Sequence, residues 1–240
     1  MLFRSVINKN VTEEDLIDSV GAAFDSNYSN VKLYFMIGLP TETMEDVEGI
    51  AELGHRVLNR YYMTPKKPKR KGVKVAISVS SFIPKPFTPF QWEPQDSIET
   101  LKEKQRYLQK LIKRKGLNLS WHEPSLSFLE AIFARGDRRL SKVLIKAWEL
   151  GCKFDSWEQH FKYDLWIQAF NYFGINPEFY ALRRRDIEEI LPWDHIDVGV
   201  TKKYLISEKE KALRGETTED CRTACTGCGI NLLEEGEICK

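Results

Sequence analysis

Net charge is nearly absent from this sequence: 36 basic against 35 acidic residues leave +1, which gives no support for a broadly basic nucleic-acid surface. No apolar stretch approaches the length that spans a bilayer. Met1–Asn10 has no apolar core of signal-peptide type. Cytoplasmic location with reduced thiols is therefore the expectation, with no membrane partner, and clustered cysteines read as metal ligands before disulfides. Internal repeats and low-complexity tracts are lacking too, as is any evident acid–base pair or nucleophile, which suits chemistry carried by a cofactor. What is present is apolar sequence, 42% of 240 residues, enough to bury a core in one large domain or two small ones. The one basic run, Lys67, Lys69, Arg70 and Lys71 among Pro65, Pro68 and Gly72, reads as a solvated loop.

Local signals lay out an α/β region first. Thr12 is a plausible N-cap before Glu13, Glu14 and Asp15, and Leu16, Val20 and Phe24 mark one helical face. Residues 31–37 are apolar apart from Lys32 and read as a buried strand of a parallel sheet. Thr43 caps a second helix whose buried face is Ile50, Leu53, Val57 and Leu58. A second strand spans 73–79, and the alternation is that of βαβ units. A helix over 96–115 has Asp96 and Glu99 at capping-box spacing, and a short strand is expected at 117–120. Helices are expected at 125–135, 141–150, 157–173 and 177–185, the last with Pro177 in its first turn. The predicted organisation is 1–95 as the α/β part, 96–205 as a helical region and 206–240 as a cysteine-bearing tail.

Two turns follow strands directly. In Met36-Ile37-Gly38-Leu39-Pro40-Thr41-Glu42-Thr43, a glycine at a strand's C-terminal end lets a ligand approach the backbone. Glu42 and Thr43 then stand at a helix start, where amides and a carboxylate organise polar groups; an ordinary capped turn is the competing reading. In Ser81-Phe82-Ile83-Pro84-Lys85-Pro86-Phe87-Thr88-Pro89-Phe90, prolines and phenylalanines make a stiff apolar loop, which otherwise reads as a plug closing the core.

In this order and spacing the two turns resemble the fifth and sixth strands of a radical S-adenosylmethionine (SAM) barrel. More narrowly, segments 6–16, 32–43, 81–92, 134–141, 191–200 and 220–229 together resemble the C-terminal portion of a family of B12-binding-domain-containing radical SAM proteins. The resemblance implies an α/β fold with the last strands of a (β/α) barrel, followed by helices packing on it. It implies SAM bound through a [4Fe–4S] cluster, cobalamin in the full-length protein, and methylation or methylthiolation as the class of reaction. It makes Met36, Gly38 and Glu42 candidates for lining the SAM pocket. The cluster loop of the family belongs to a barrel half that this sequence does not contain. A separate N-terminal chain is accordingly an expected partner, and this chain alone a C-terminal fragment of the enzyme. The alternative is a non-catalytic module or split-enzyme subunit that binds a partner, RNA among the candidates.

The tail carries Cys221, Cys225 and Cys228 at C-x3-C-x2-C spacing, with Cys239 beyond. Thiolates so spaced converge on one tetrahedral centre, and Gly227 and Gly229 permit the tight turn. Zinc and an auxiliary [4Fe–4S] cluster both fit this set, and free thiols in a loose tail are the bland alternative. Cys152 reads as a small buried residue. His122 reads as a surface histidine before a substrate contact. Arg135, Arg138 and Arg139 suit either an anion or an ion-paired helix end. The aromatics Trp148, Trp157, Phe161, Trp166, Phe170 and Phe173 read as core. Pro192-Trp193-Asp194-His195 belongs to the resemblance without a physical role.

Overall fold

A computed structural model describes residues 11–64 and 72–230. Most of the basic run and Cys239 fall outside them. The fold is mixed α/β, as expected, and the chain forms two compact units that are discontinuous in sequence.

The first unit takes in the chain up to Phe82, with Glu99–His122 and Lys211–Thr217. Helix α1 (Glu13–Asp25) opens on a complete capping box: Asp15 N donates to Thr12 Oγ1 at 3.1 Å and Thr12 N to Asp15 Oδ2 at 2.8 Å. Helix α2 (Met44–Met63) repeats the device with Thr43 and Asp46. Each box satisfies amides that a helix start leaves without intrahelical acceptors.

Strands β1 (Asn30–Ile37), β2 (Lys74–Ser81) and β3 (Leu117–Trp121) form a parallel sheet in the order β1-β2-β3, with β1 and β2 in register from Asn30 opposite Lys74 to Ile37 opposite Ser81. Val75, Ile77 and Val79 of β2 are buried, together with Leu33 and Ile37 of β1. They share one core with Phe24 of α1, Ile50 and Leu58 of α2, and Leu101 and Leu108 of α3 (Ile98–Leu111). Alternation along the strands thus sends one face to the helices. At Gly54 a Cβ would lie 2.4 Å from Ile77 Cδ1, so a side chain there would have to displace the tip of Ile77 where α2 crosses β2. Helix α3 and strand β3, expected with the helical region, belong to the sheet unit, because their apolar residues complete its core.

The second unit comprises Ile83–Ile98, Glu123–Glu210 and the tail from Thr218. Its helices α4 (Pro124–Ala134), α5 (Leu140–Glu149), α6 (Tyr163–Tyr172) and α7 (Glu178–Ala181) pack around Phe128, Ile132, Val143, Trp166 and Phe170. Helix α8 (Lys202–Leu213) has no counterpart in the sequence reading; its polar and charged composition hides a short apolar stripe that includes Leu205. The helix expected over 157–173 is broken: a 3-10 turn, Glu158–His160, precedes α6. The one expected over 177–185 ends at Ala181. Trp148 and Trp157 are each 62% exposed, which corrects their reading as core. Trp166, Phe170 and Cys152 are buried as expected, and burial pushes the Cys152 thiol up.

The stiff proline–phenylalanine loop does close a core. Phe90 is buried, and Trp92, fully buried, packs with Leu191, Trp193 and Leu205.

Candidate functional site

Because the three strands run parallel, their C-terminal ends share one edge of the sheet, where ligands of α/β sheets commonly bind. There β1 leads into Gly38, β2 into Phe82 and β3 into His122. Phe82 N donates to Ile37 O at 2.8 Å and His122 N to Val79 O at 3.1 Å, so each chain leaves its strand tied to its neighbour. The His122 ring is exposed.

Gly38 is buried with φ +83°, a conformation that favours glycine and turns the chain sharply off β1. Its amide donates to Glu42 Oε1 at 2.9 Å. The same oxygen accepts from Lys104 Nζ at 2.6 Å. The two side chains are only 2% and 10% exposed, so this ion pair is buried. Glu42 therefore ties its own turn to α3. Met36, next to Ser80 in the register, is half-buried at the same strand end. Lys104 was missed in the sequence reading. The available signal was its position: with Gln105 it interrupts the buried stripe of Leu101 and Leu108 on α3. A lysine at a core position needs a carboxylate there.

The described part of the tail is held at two points. Thr201 N donates to Cys228 O at 2.9 Å, and the Thr218 hydroxyl donates to Glu208. Gly227 and Gly229 have φ +69° and +104°, the left-handed turns expected around Cys228. A Cβ on Gly229 would lie 2.5 Å from Thr201 Cγ2 and 3.0 Å from Gly199 O. Cys221 and Cys225 are exposed and Cys228 is half-buried. Among the described residues no three His, Cys, Asp or Glu side chains are grouped to hold a metal ion. The expected fourth ligand, Cys239, lies outside those residues.

The arginines serve the fold. Arg135 is fully buried and donates to Ala181 O and Arg183 O, while Arg185 donates to Arg135 O at 2.6 Å. Burial, reinforced by Arg185 and Arg183, lowers the Arg135 pKa to about 10. Arg139 forms paired bonds with Asp137, and Arg183 does so with Glu189. Hydrogen bonds from Arg139 and Arg183 hold these two carboxyls below the usual carboxylate range.

Lowered folded-state pKa values give stability that is complete above the unfolded values, about 3.9 for Asp and 4.3 for Glu, and lost as pH falls through the folded ones. The thermal midpoint of the second unit is thus expected to drop as pH is lowered from 5 to 3. Arg183→Gln should flatten that drop; an unchanged pH profile in this variant would show that Glu189 does not contribute.

No helix among the described residues is long and apolar enough to cross a membrane. No family model matches the chain, and no solved structure does. The chain is similar to the uncharacterized protein MJ0966 of Methanocaldococcus jannaschii, 37% identical over 141 residues. That match covers 59% of this chain and 29% of the relative, so the chain spans under a third of the length of the archaeal protein it resembles.

Proposed function

We propose that this chain is the C-terminal part of a radical SAM enzyme, forming one wall of its SAM pocket and carrying an auxiliary metal centre in its tail. The supporting observation is the sheet face opposite the helices. It presents Lys32, Tyr34 and Met36 of β1, Ala76, Ser78 and Ser80 of β2, and Asn118 and Ser120 of β3, none of them buried. Parallel sheets are ordinarily covered on both faces, and an edge strand such as β1 offers unpaired backbone groups. A barrel answers both needs, since further strands continue from the edge and the inner face closes on itself. The much greater length of the archaeal relative is consistent with such an addition.

SAM held on a [4Fe–4S] cluster would supply the radical chemistry. This chain's part is to shape the site: Met36, Gly38 and Glu42 would line the SAM pocket, and Glu42 with Lys104 fixes the turn at Gly38. Cys221, Cys225, Cys228 and Cys239 would hold the auxiliary cluster, or zinc. Cobalamin would belong to the preceding part of the enzyme.

The test is anaerobic purification of the chain alone and fused to the N-terminal half of a family member, with iron, sulfide and zinc quantified. The fusion is expected to cleave SAM to 5′-deoxyadenosine under reduction. Cys225→Ala is expected to abolish metal binding by the isolated chain while the far-UV circular dichroism is retained. A folded, cluster-loaded fusion that leaves SAM intact would overturn the enzymatic reading, and zinc alone in the tail would favour a binding module. Unchanged metal content in the cysteine variant would remove the auxiliary centre.

A further inference from the structure

Asp194 and His195, from the Pro192-Trp193-Asp194-His195 segment, form part of the wall of a cavity of about 380 Å³ within the second unit, away from the strand ends. That volume lies within the roughly 300–1,000 Å³ usual for small-molecule sites. Gln91, Asp194, His195, Asp197 and Lys202 supply its polar groups, and Phe87, Ile196, Val200 and Leu205 its apolar ones.

Gln91 is the informative residue. It is 3% exposed, and its Oε1 accepts from Trp193 Nε1 at 2.7 Å and from Phe87 N at 3.0 Å. Indole and backbone N–H groups only donate, so they fix which end of the amide faces them. The NH2 end meets no acceptor among the described residues, and it is not one of the fully buried unpartnered groups, so it is reached from the cavity that Gln91 lines. Gln91 therefore offers two hydrogen-bond donors to an occupant of the cavity.

The rim has a different character. Asp194 Oδ2 accepts from Leu191 N and Asp197 Oδ1 from Gly199 N, each at 2.8 Å. Those bonds orient both exposed carboxylates and leave one oxygen of each for a ligand. Two carboxylates against the single ammonium of Lys202 disfavour an anion. A wholly apolar guest would leave the Gln91 amide unsatisfied. Asp194, His195 and Asp197 are not grouped as a cation site. What remains is a neutral molecule with an acceptor at one end, a ring able to lie on Phe87, and hydroxyl donors at the other.

We propose that this cavity binds a ribonucleoside, the base accepting from the Gln91 amide against Phe87 and the ribose hydroxyls donating to Asp194 and Asp197. Carboxylates are a recurrent partner of ribose hydroxyls, and such charge-assisted bonds are the stronger kind. The proposal rests on the second unit alone and is independent of the radical SAM reading.

Isothermal titration of the full chain with adenosine, guanosine, cytidine and uridine tests it, alongside their 2′-deoxy analogues and 5′-monophosphates. One saturable site is expected for at least one ribonucleoside, with its 2′-deoxy analogue about tenfold or more weaker, the loss expected for one hydrogen bond to a charged group. Gln91→Glu keeps the acceptor oxygen for Trp193 and Phe87 while removing the NH2, and is expected to weaken binding by about as much. Asp197→Asn, on the exposed rim, keeps the Gly199 contact and should erase the preference for ribose over deoxyribose. No saturable binding of any nucleoside at millimolar concentration would overturn the proposal. So would tighter binding of the monophosphates, or unaltered binding in Asp197→Asn, a measurement that stands even where Gln91→Glu fails to fold.

Discussion

Lys104→Ala is expected to destabilise the first unit by about 3–5 kcal/mol, the usual cost of removing one partner from a buried ion pair. The loss would come less from the missing attraction than from burying the Glu42 carboxylate without the Lys104 charge, its side chain being 2% exposed and still turned onto the Gly38 amide. The double variant Lys104→Met with Glu42→Gln separates the two causes. Methionine fills the stem's volume beside Leu101 and Leu108, and the glutamine oxygen keeps the Gly38 bond without the charge. Recovery of most of the lost stability is expected, since apolar replacement of a whole buried pair is often neutral. Urea unfolding followed by circular dichroism, with hydrogen exchange to localise the effect to the sheet unit, makes the measurement. A single variant as stable as the parent would mean that water reaches Glu42 freely. A double variant as unstable as the single one would mean that the charge itself is needed. The same pair bears on function: if it holds the Gly38 turn, the double variant should keep SAM cleavage in the fused enzyme and Lys104→Ala should lose it.

A loss of similar size, about 3–5 kcal/mol, is expected in the second unit for Trp92→Ala, from lost transfer energy plus the cavity left behind. Trp92 is fully buried against Leu191, Trp193 and Leu205, and its backbone oxygen accepts from Arg185 N at 2.8 Å. The Lys209 ammonium lies 5.7 Å from its ring and pairs with buried Glu93, so the indole also lines a charge pair. The informative contrast is Trp92→Phe. The indole nitrogen of Trp92 has no hydrogen-bond partner among the described residues, so phenylalanine forfeits volume but no hydrogen bond, and a clearly smaller loss is expected. Equal losses in the two variants would show that the indole N–H is satisfied in solution and contributes. Hydrogen exchange of the amides around Arg185 and Trp193 reads the effect where it should occur.

Much of the first unit was legible in sequence because its signals are local. Thr12 with Asp15 and Thr43 with Asp46 cap helices through bonds spanning three residues, and β1 and β2 betray themselves by composition and spacing. The glycines around Cys228 likewise announce their turns by having no side chain. The reading failed where burial is not periodic. Trp148 and Trp157 have helical company and still face water, and Leu205 lies on a helix too polar to draw notice. Arg135 was read for its charge and is instead buried on carbonyl oxygens, whereas Arg139, closed onto Asp137 at a helix start, fits the ion-paired alternative.

The sequence alone therefore determined the order of the first unit's elements, the caps at Thr12 and Thr43, the left-handed glycines and the spacing of the tail cysteines, each through chemistry acting within a few residues. Only the tertiary structure decided that Glu42 meets Lys104, 62 residues away, and that Gln91 meets Trp193, 102 residues away. Those partners are chosen by the closing of long loops and by the cost of burying an unpaired charge or amide, and neither leaves a mark in the residues beside them.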